Sequence, residues 1–265
     1  MEMMKWTTTE VLVLVKVYPT PSNKYGETVC TAGITRDSKW IRLYPVPYRD
    51  LPIDKHYDKF QWIKVKVTPS NEMLRRPESH KIDASSIELL SKIPPGSGWI
   101  ERTKYFLPAT SKSLEEIELK KQENGTSLGA FKPHTVKDFI IESDSGQWNE
   151  KQLKVLEQKS LFNQDKATLR KVPYKFRYIF TCNNKDCKGH DIQIFDWEAA
   201  QSYWRFKKLY KNEALVLKKL KKRWLDHFFK DRESYFVVGT DFHWNKFMIL
   251  TIVSPKRKSD QMELF

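Results

Sequence analysis

Cys182, Cys187 and His190 are spaced Cys-x4-Cys-x2-His. Two thiols and an imidazole in one short loop are zinc ligands by type, and a structural zinc site takes four ligands. Only three are local here; His227, His243 or Asp191 could supply the fourth after folding. A water-activating site would also need a nearby general base, so a structural ion is the default. The competing reading is a pair of free cysteines, with His190 at a turn beside Gly189.

Asp191, Asp196 and Glu198 lie close by in sequence and, with His190, are the candidate catalytic set of a metal-dependent nuclease. A continuous strand would put Asp191 and Asp196 on opposite faces, since five residues separate them. Asp196 also suits the N-cap of a following helix, which is the simpler reading. Phosphate-cradling and nucleophile-elbow motifs are missing from the sequence, which has nine glycines in all.

Charge is the next signal. The 265 residues carry a formal net charge of +14, with 40% hydrophobic and 13% aromatic residues. That composition can bury a core and attracts polyanions. Between Arg205 and Arg232, eleven basic residues stand against three acids, a surplus of +8. Ala200, Tyr203, Phe206, Tyr210, Ala214, Leu217, Leu220, Trp224 and Phe228 recur at helical spacing and predict one continuous apolar stripe. The opposite face would present Arg205, Lys207, Lys208, Lys211, Lys218, Lys219, Lys221, Lys222 and Arg223 to phosphates. A basic helix meeting an acidic protein partner is the other reading of the same run.

The elements that must hold these residues are β-rich at the start. Strands are predicted over 10–17, 28–34, 39–44 and 60–68, separated by Pro, Asp and Ser. Their spacing predicts a small barrel or sandwich. Trp40 and Arg42 would share a face with Tyr44; with Trp62, Lys64 and Lys66 they offer rings and cations to a nucleic-acid strand. Helices are predicted over 84–92, 114–122 and 149–158, and a strand over 136–142. The last third predicts strands over 174–182 and 191–196, one or two helices over 197–230, then strands over 235–238 and 247–253. The expected class is α+β: a β-barrel-like domain in 1–143, a mixed middle, an α+β basic domain with the Cys/His loop in 174–254, and a flexible tail in 255–265. No apolar run approaches the ~20 residues of a membrane span. Three cysteines make no disulfide framework, which points to a reducing, cytoplasmic setting.

Two resemblances add to this reading. The run Tyr25-Gly-Glu-Thr-Val-Cys-Thr-Ala-Gly-Ile34, followed by Lys39-Trp-Ile-Arg-Leu-Tyr-Pro45, resembles the opening of uncharacterised bacterial dual-OB-type proteins. That resemblance implies an OB-like barrel and a setting among mobile elements and phage defence, and carries over no catalytic residue. The C-terminal Gln261-Met262-Glu263-Leu264-Phe265 resembles the bacterial sliding-clamp-binding peptide, commonly Gln-Leu-Ser/Asp-Leu-Phe. It implies that Gln261, Met262, Leu264 and Phe265 bind a replication clamp. The combined expectation is a DNA-directed accessory protein tethered to that clamp.

Overall fold

The apolar run 11–15 has no polar face, and the fold exposes none of it. In the computed structural model, which describes residues 5–22, 26–70, 76–95, 99–162, 168–241 and 245–255, the run is the middle of strand β1 (Thr7–Lys16). Val11 and Val13 belong to the core inside a barrel, and Leu12 and Leu14 to a second core outside it. Alternating polarity is lost because both faces of the strand are buried.

β2 (Thr20–Ser22), β3 (Gly26–Thr35), β4 (Trp40–Val46), β5 (Gln61–Pro69) and β6 (Ser79–Lys92) follow. Five of these six strands close a barrel in the order β1-β5-β6-β4-β3, with β3 returning to β1; β2 pairs on to β3. Neighbours are antiparallel except β4 and β6, which run parallel. This is an OB-like Greek-key barrel. Ile41, Leu43, Val65, Val67 and Ile87 fill its interior. A fully buried side chain of this size contributes on the order of 1.5–3 kcal/mol.

The helix expected over 84–92 is the second half of β6 instead. Its Ala, Leu and Glu favour helix, but closing the barrel needs a strand between β5 and β4. Ile87 is buried while Ser86 and Glu88 are not, the alternation of a strand. The Ser86 hydroxyl donates to the Asp83 carbonyl and accepts from Lys66 N–H, which supports an irregularity in the pairing.

After α1 (Trp99–Phe106) the chain builds a second sheet. Its elements are β7 (Thr110–Ser111), α2 (Leu114–Asn124), β8 (Leu128–Phe131), β9 (Thr135–Ser143), α3 (Glu150–Phe162), β10 (Tyr174–Thr181), β11 (His190–Ile194), α4 (Trp197–Leu209), α5 (Glu213–Lys221), β12 (Tyr235–Thr240) and β13 (Phe247–Val253). The strand order is β7-β8-β12-β13-β11-β10-β9. Residues 128–143, grouped by sequence with the barrel, thus belong to the second sheet, and the change of sheet falls at Thr110.

Each face of this sheet is covered. Leu128, Ala130, Val237 and Leu250 pack on the outer barrel residues Leu12, Leu14, Ala32 and Ile34. The other face, with Phe139, Phe176, Tyr178 and Phe236, receives Leu114 and Ile117 of α2, Tyr203 of α4, and Val216 and Leu220 of α5. The expected single stripe over 200–228 is divided between two helices. α4 ends at Leu209, and Asn212 starts α5 by accepting the Leu215 N–H at 3.0 Å. A π-helical turn, Lys222–His227, extends α5. The buried Tyr178 hydroxyl donates to the Trp224 carbonyl there at 2.6 Å, giving a partner to a group in a widened turn. Among the described residues, no helix is long and apolar enough to cross a membrane.

Candidate metal cluster and basic interface

The Cys/His loop joins β10 to β11, whose register sets Phe180 opposite His190. Asn184 tightens it: its carbonyl accepts the Cys187 N–H and its side chain accepts the Asp186 N–H, both at 3.1 Å. Gly189 takes φ +92°, a conformation that strains other residues, and turns the chain back into β11. The His190 ring stacks on Phe180 with centroids 5.0 Å apart. Its Nε2 lies 3.3 Å from Cys187 Sγ. The Cys182 N–H donates to that same sulfur at 3.2 Å.

Sequence reasoning missed the fourth member, Glu115. It stands in the first turn of α2, which Ser113 caps by accepting the Glu116 N–H at 3.3 Å. Gly129 on β8 lets this helix lie close: a Cβ there would come 2.7 Å from Ile117 Cδ1. So docked, Glu115 Oε1 is 2.9 Å from His190 Nε2. One potential ligand atom from each of Glu115, Cys182, Cys187 and His190 lies within 4.8 Å of the others, a metal-binding separation. Of the residues expected to complete the set, Asp191 pairs with Arg177 and His227 lies 3.5 Å from Asp231. His243 is outside the described residues. Burial raises the Cys182 thiol to about 12, with the Glu115 charge adding to the effect. Burial also opposes ionisation of Glu115, yet the polar groups around its carboxylate, those of its own backbone, Ser113, Cys187 and His190, hold it at about 2.

The four candidate catalytic residues do not converge. His190 belongs to the cysteine cluster, and Asp191 faces Arg177. Asp196 is buried as the N-cap of α4, accepting the Glu198 N–H at 2.6 Å and the Thr251 hydroxyl. Lys59 donates to Thr251 Oγ1 at 2.7 Å and lies 3.5 Å from Glu198. The Lys59 charge lowers the Glu198 pKa, while burial pushes Asp196 up to about 6. The pair is thus locked to the barrel's lysine at the seam between the domains.

The predicted basic residues divide by role. Lys207 pairs with Glu213 and Lys221 with Asp138. Arg205, Lys208, Lys211, Lys218 and Lys222 are exposed and have no carboxylate at ion-pair distance among the described residues. Lys219 lies 5.9 Å from the Tyr210 ring centroid and Arg223 5.7 Å from that of Phe228. Arg205, Phe206, Arg223 and Phe228 line a cleft of ≈430 Å³ beside α4. A second cleft, of ≈350 Å³, shares Arg223, Phe228 and Glu198 and continues to Lys92, Arg102 and Lys59 on the barrel side. These barrel-side cations were not legible as part of the basic run, because they come from distant β5, β6 and α1 surroundings.

Trp40 and Arg42 lie on the β3–β4 face, which OB barrels commonly offer to oligonucleotides. Here that face meets the second sheet. Arg42 is 5% exposed and donates to the Ser127 hydroxyl at 2.9 Å and its carbonyl at 3.0 Å. Glu78 accepts the Ser127 and Leu128 N–H groups at 2.7 and 3.2 Å. Trp40 Nε1 donates to the Ala109 carbonyl at 2.8 Å. The structure therefore corrects their expected role: both side chains fasten the domains and do not form an open binding face. Gln261, Met262, Leu264 and Phe265 lie outside the described residues.

The fold defines an α+β protein made of an OB-like barrel and a helix-covered sheet fused through a common core. Two family models divide it at the same place: Domain of unknown function (DUF8758) matches residues 7–108, and Domain of unknown function (DUF8757) matches residues 109–265. The second match spans more than half of the chain, which belongs to that family. No curated protein matches. Among solved structures, "Structure of murine DNA binding protein bound with ds DNA" is similar at 8% identity and a TM-score of 0.30, covering 94% of this chain and 96% of that one. A likeness at that TM-score carries no weight for fold or function.

Proposed function

We propose that the protein is a nucleic-acid-binding accessory protein, directed to DNA, whose contact surface is the basic face of α4 and α5. The observation that carries this reading is the set of exposed Arg205, Lys208, Lys211, Lys218 and Lys222, none with a carboxylate at ion-pair distance among the described residues. Such cations lose little on meeting phosphates and release counterions from the polyanion. The cleft beside them adds Phe206 and Phe228, rings suited to contact with bases. The test is a salt titration with duplex DNA, single-stranded DNA and RNA. Binding that weakens steeply with salt is expected; no binding to any of them at about 50 mM salt overturns the reading.

The reading extends to a tether and an ion. The C-terminal Gln261-Met262-Glu263-Leu264-Phe265 supports binding to a bacterial sliding clamp. Alanine at Gln261, Leu264 and Phe265 together should abolish capture of the purified clamp, and unchanged capture would refute the tether. The Cys182, Cys187 and His190 set supports zinc in a structural part. None of the three cysteines is paired in a disulfide, which suits a reducing cytoplasm.

A further inference from the structure

We infer that Glu115 is the fourth ligand of the proposed zinc ion, so that the ion ties helix α2 to the β10–β11 hairpin. This rests on the zinc reading and adds the residue that closes the site and the consequence of closing it.

Ordinary zinc bond lengths place the atoms of a tetrahedral sulfur, nitrogen and oxygen set about 3.3–3.8 Å apart. The separations here bracket that value: 2.9 Å from Glu115 to His190, 3.3 Å from His190 to Cys187, and no pair beyond 4.8 Å. Shifts of about 1 Å, within reach of side-chain rotation, would complete the geometry. A second observation points the same way. Glu115 Oε2 is buried without a hydrogen-bond partner. A carboxylate oxygen so placed is costly unless something positive meets it, and a divalent cation bound between Glu115 and the thiolates would do so. An ion bound there would replace the proton between His190 Nε2 and Glu115 Oε1, the neutral imidazole then carrying its proton on Nδ1, and the two thiols would release theirs to solvent.

With four protein ligands the coordination sphere is full, which defines a structural site and leaves no position for an activated water. The ion also joins residues 75 positions apart in the chain, Glu115 and His190. Such a closure restricts the unfolded chain much as a disulfide does. α2 is otherwise held by Leu114 and Ile117 in the core and, at its far end, by Lys121, which donates to the Asn245 carbonyl and lies over the Phe247 ring. Its N-terminal turn should therefore respond most to removal of the ion.

The test uses the full chain purified without chelator. Metal analysis should find one zinc per chain. Replacement by cobalt(II) should give the intense visible bands of a four-coordinate site and a thiolate charge-transfer band. Glu115→Gln, nearly isosteric, should weaken zinc at least about 10-fold in competition with a chromophoric chelator, alter the cobalt spectrum and speed hydrogen exchange in α2. Glu115→Asp, which keeps the carboxylate, should restore part of the affinity. Glu116→Gln, next in sequence and paired with Lys120, should leave metal binding unchanged. Absence of stoichiometric zinc and cobalt from the wild-type protein overturns the zinc reading, and this inference with it. One ion in the wild type, with the same affinity and cobalt spectrum in Glu115→Gln, overturns the role of Glu115 alone. If Glu115→Gln fails to fold, Glu115→Ala decides: a wild-type cobalt spectrum and affinity with no carboxylate at that position again sinks the inference.

Discussion

The Asp196 carboxylate accepts the Glu198 N–H in the first turn of α4 and the Thr251 hydroxyl while only 4% exposed. Burial raises its pKa to about 6, in spite of the nearby Lys59 charge. Because the folded value lies above the ordinary 3.8, its contribution to stability is fully present below about 4 and is lost as pH rises through about 6. Asp196→Asn keeps a good N-cap and removes the titration. In paired thermal melts the variant should gain on the wild type as pH is raised from about 4 to about 7, with most of the change below about 6. A difference independent of pH would show that Asp196 ionises as it does in the unfolded chain. The same residue illustrates what sequence could reveal at this scale. Its capping role was legible because a cap and its N–H donor are two residues apart. Cys182, Cys187 and His190 were legible for the same reason. Glu115 was not: nothing local marks it, and its approach depends on Ile117 settling over Gly129.

Most strands were legible because their alternating or fully apolar patterns follow from which faces are buried. β13 matches the strand predicted over 247–253. β6 was misread because its residues favour helix and only partners on both sides make it a strand. Two helices over 197–230 were legible as an alternative to one, but the apolar residues Tyr210 and Ala214 on either side of the break hid where it falls. Asn212 makes that break, since its side chain satisfies an N–H that would otherwise be open at the new helix start. Asn212→Ala should cost about 1 kcal/mol of stability, measured by urea unfolding. An unchanged midpoint would mean that helix packing alone, through Val216 and Leu220, sets where α5 begins.

At the level of the whole molecule, the barrel and the sheet use each other's surfaces. The β3–β4 face is taken up by the shared core and by Arg42, Glu78 and Ser127, which closes it to other ligands. The sequence could show that Trp40 and Arg42 were of a type suited to nucleic acid; it could not show that another domain covers them. This separates two effects that net charge alone would merge. Lys218→Gln with Lys222→Gln should barely change stability, since both side chains are exposed. It should flatten the dependence of log Kd for duplex DNA on log salt by about 2, near 0.9 for each phosphate that is no longer neutralised. Arg42→Met should do the reverse. It leaves the Ser127 hydroxyl and carbonyl without the guanidinium that donates to them, which costs about 2 kcal/mol or more in denaturant unfolding. At a salt and temperature where the variant remains folded, its slope should equal that of the wild type. If Arg42→Met flattened the slope and the lysine pair did not, DNA would be entering the barrel face, and the two domains would have to separate to admit it.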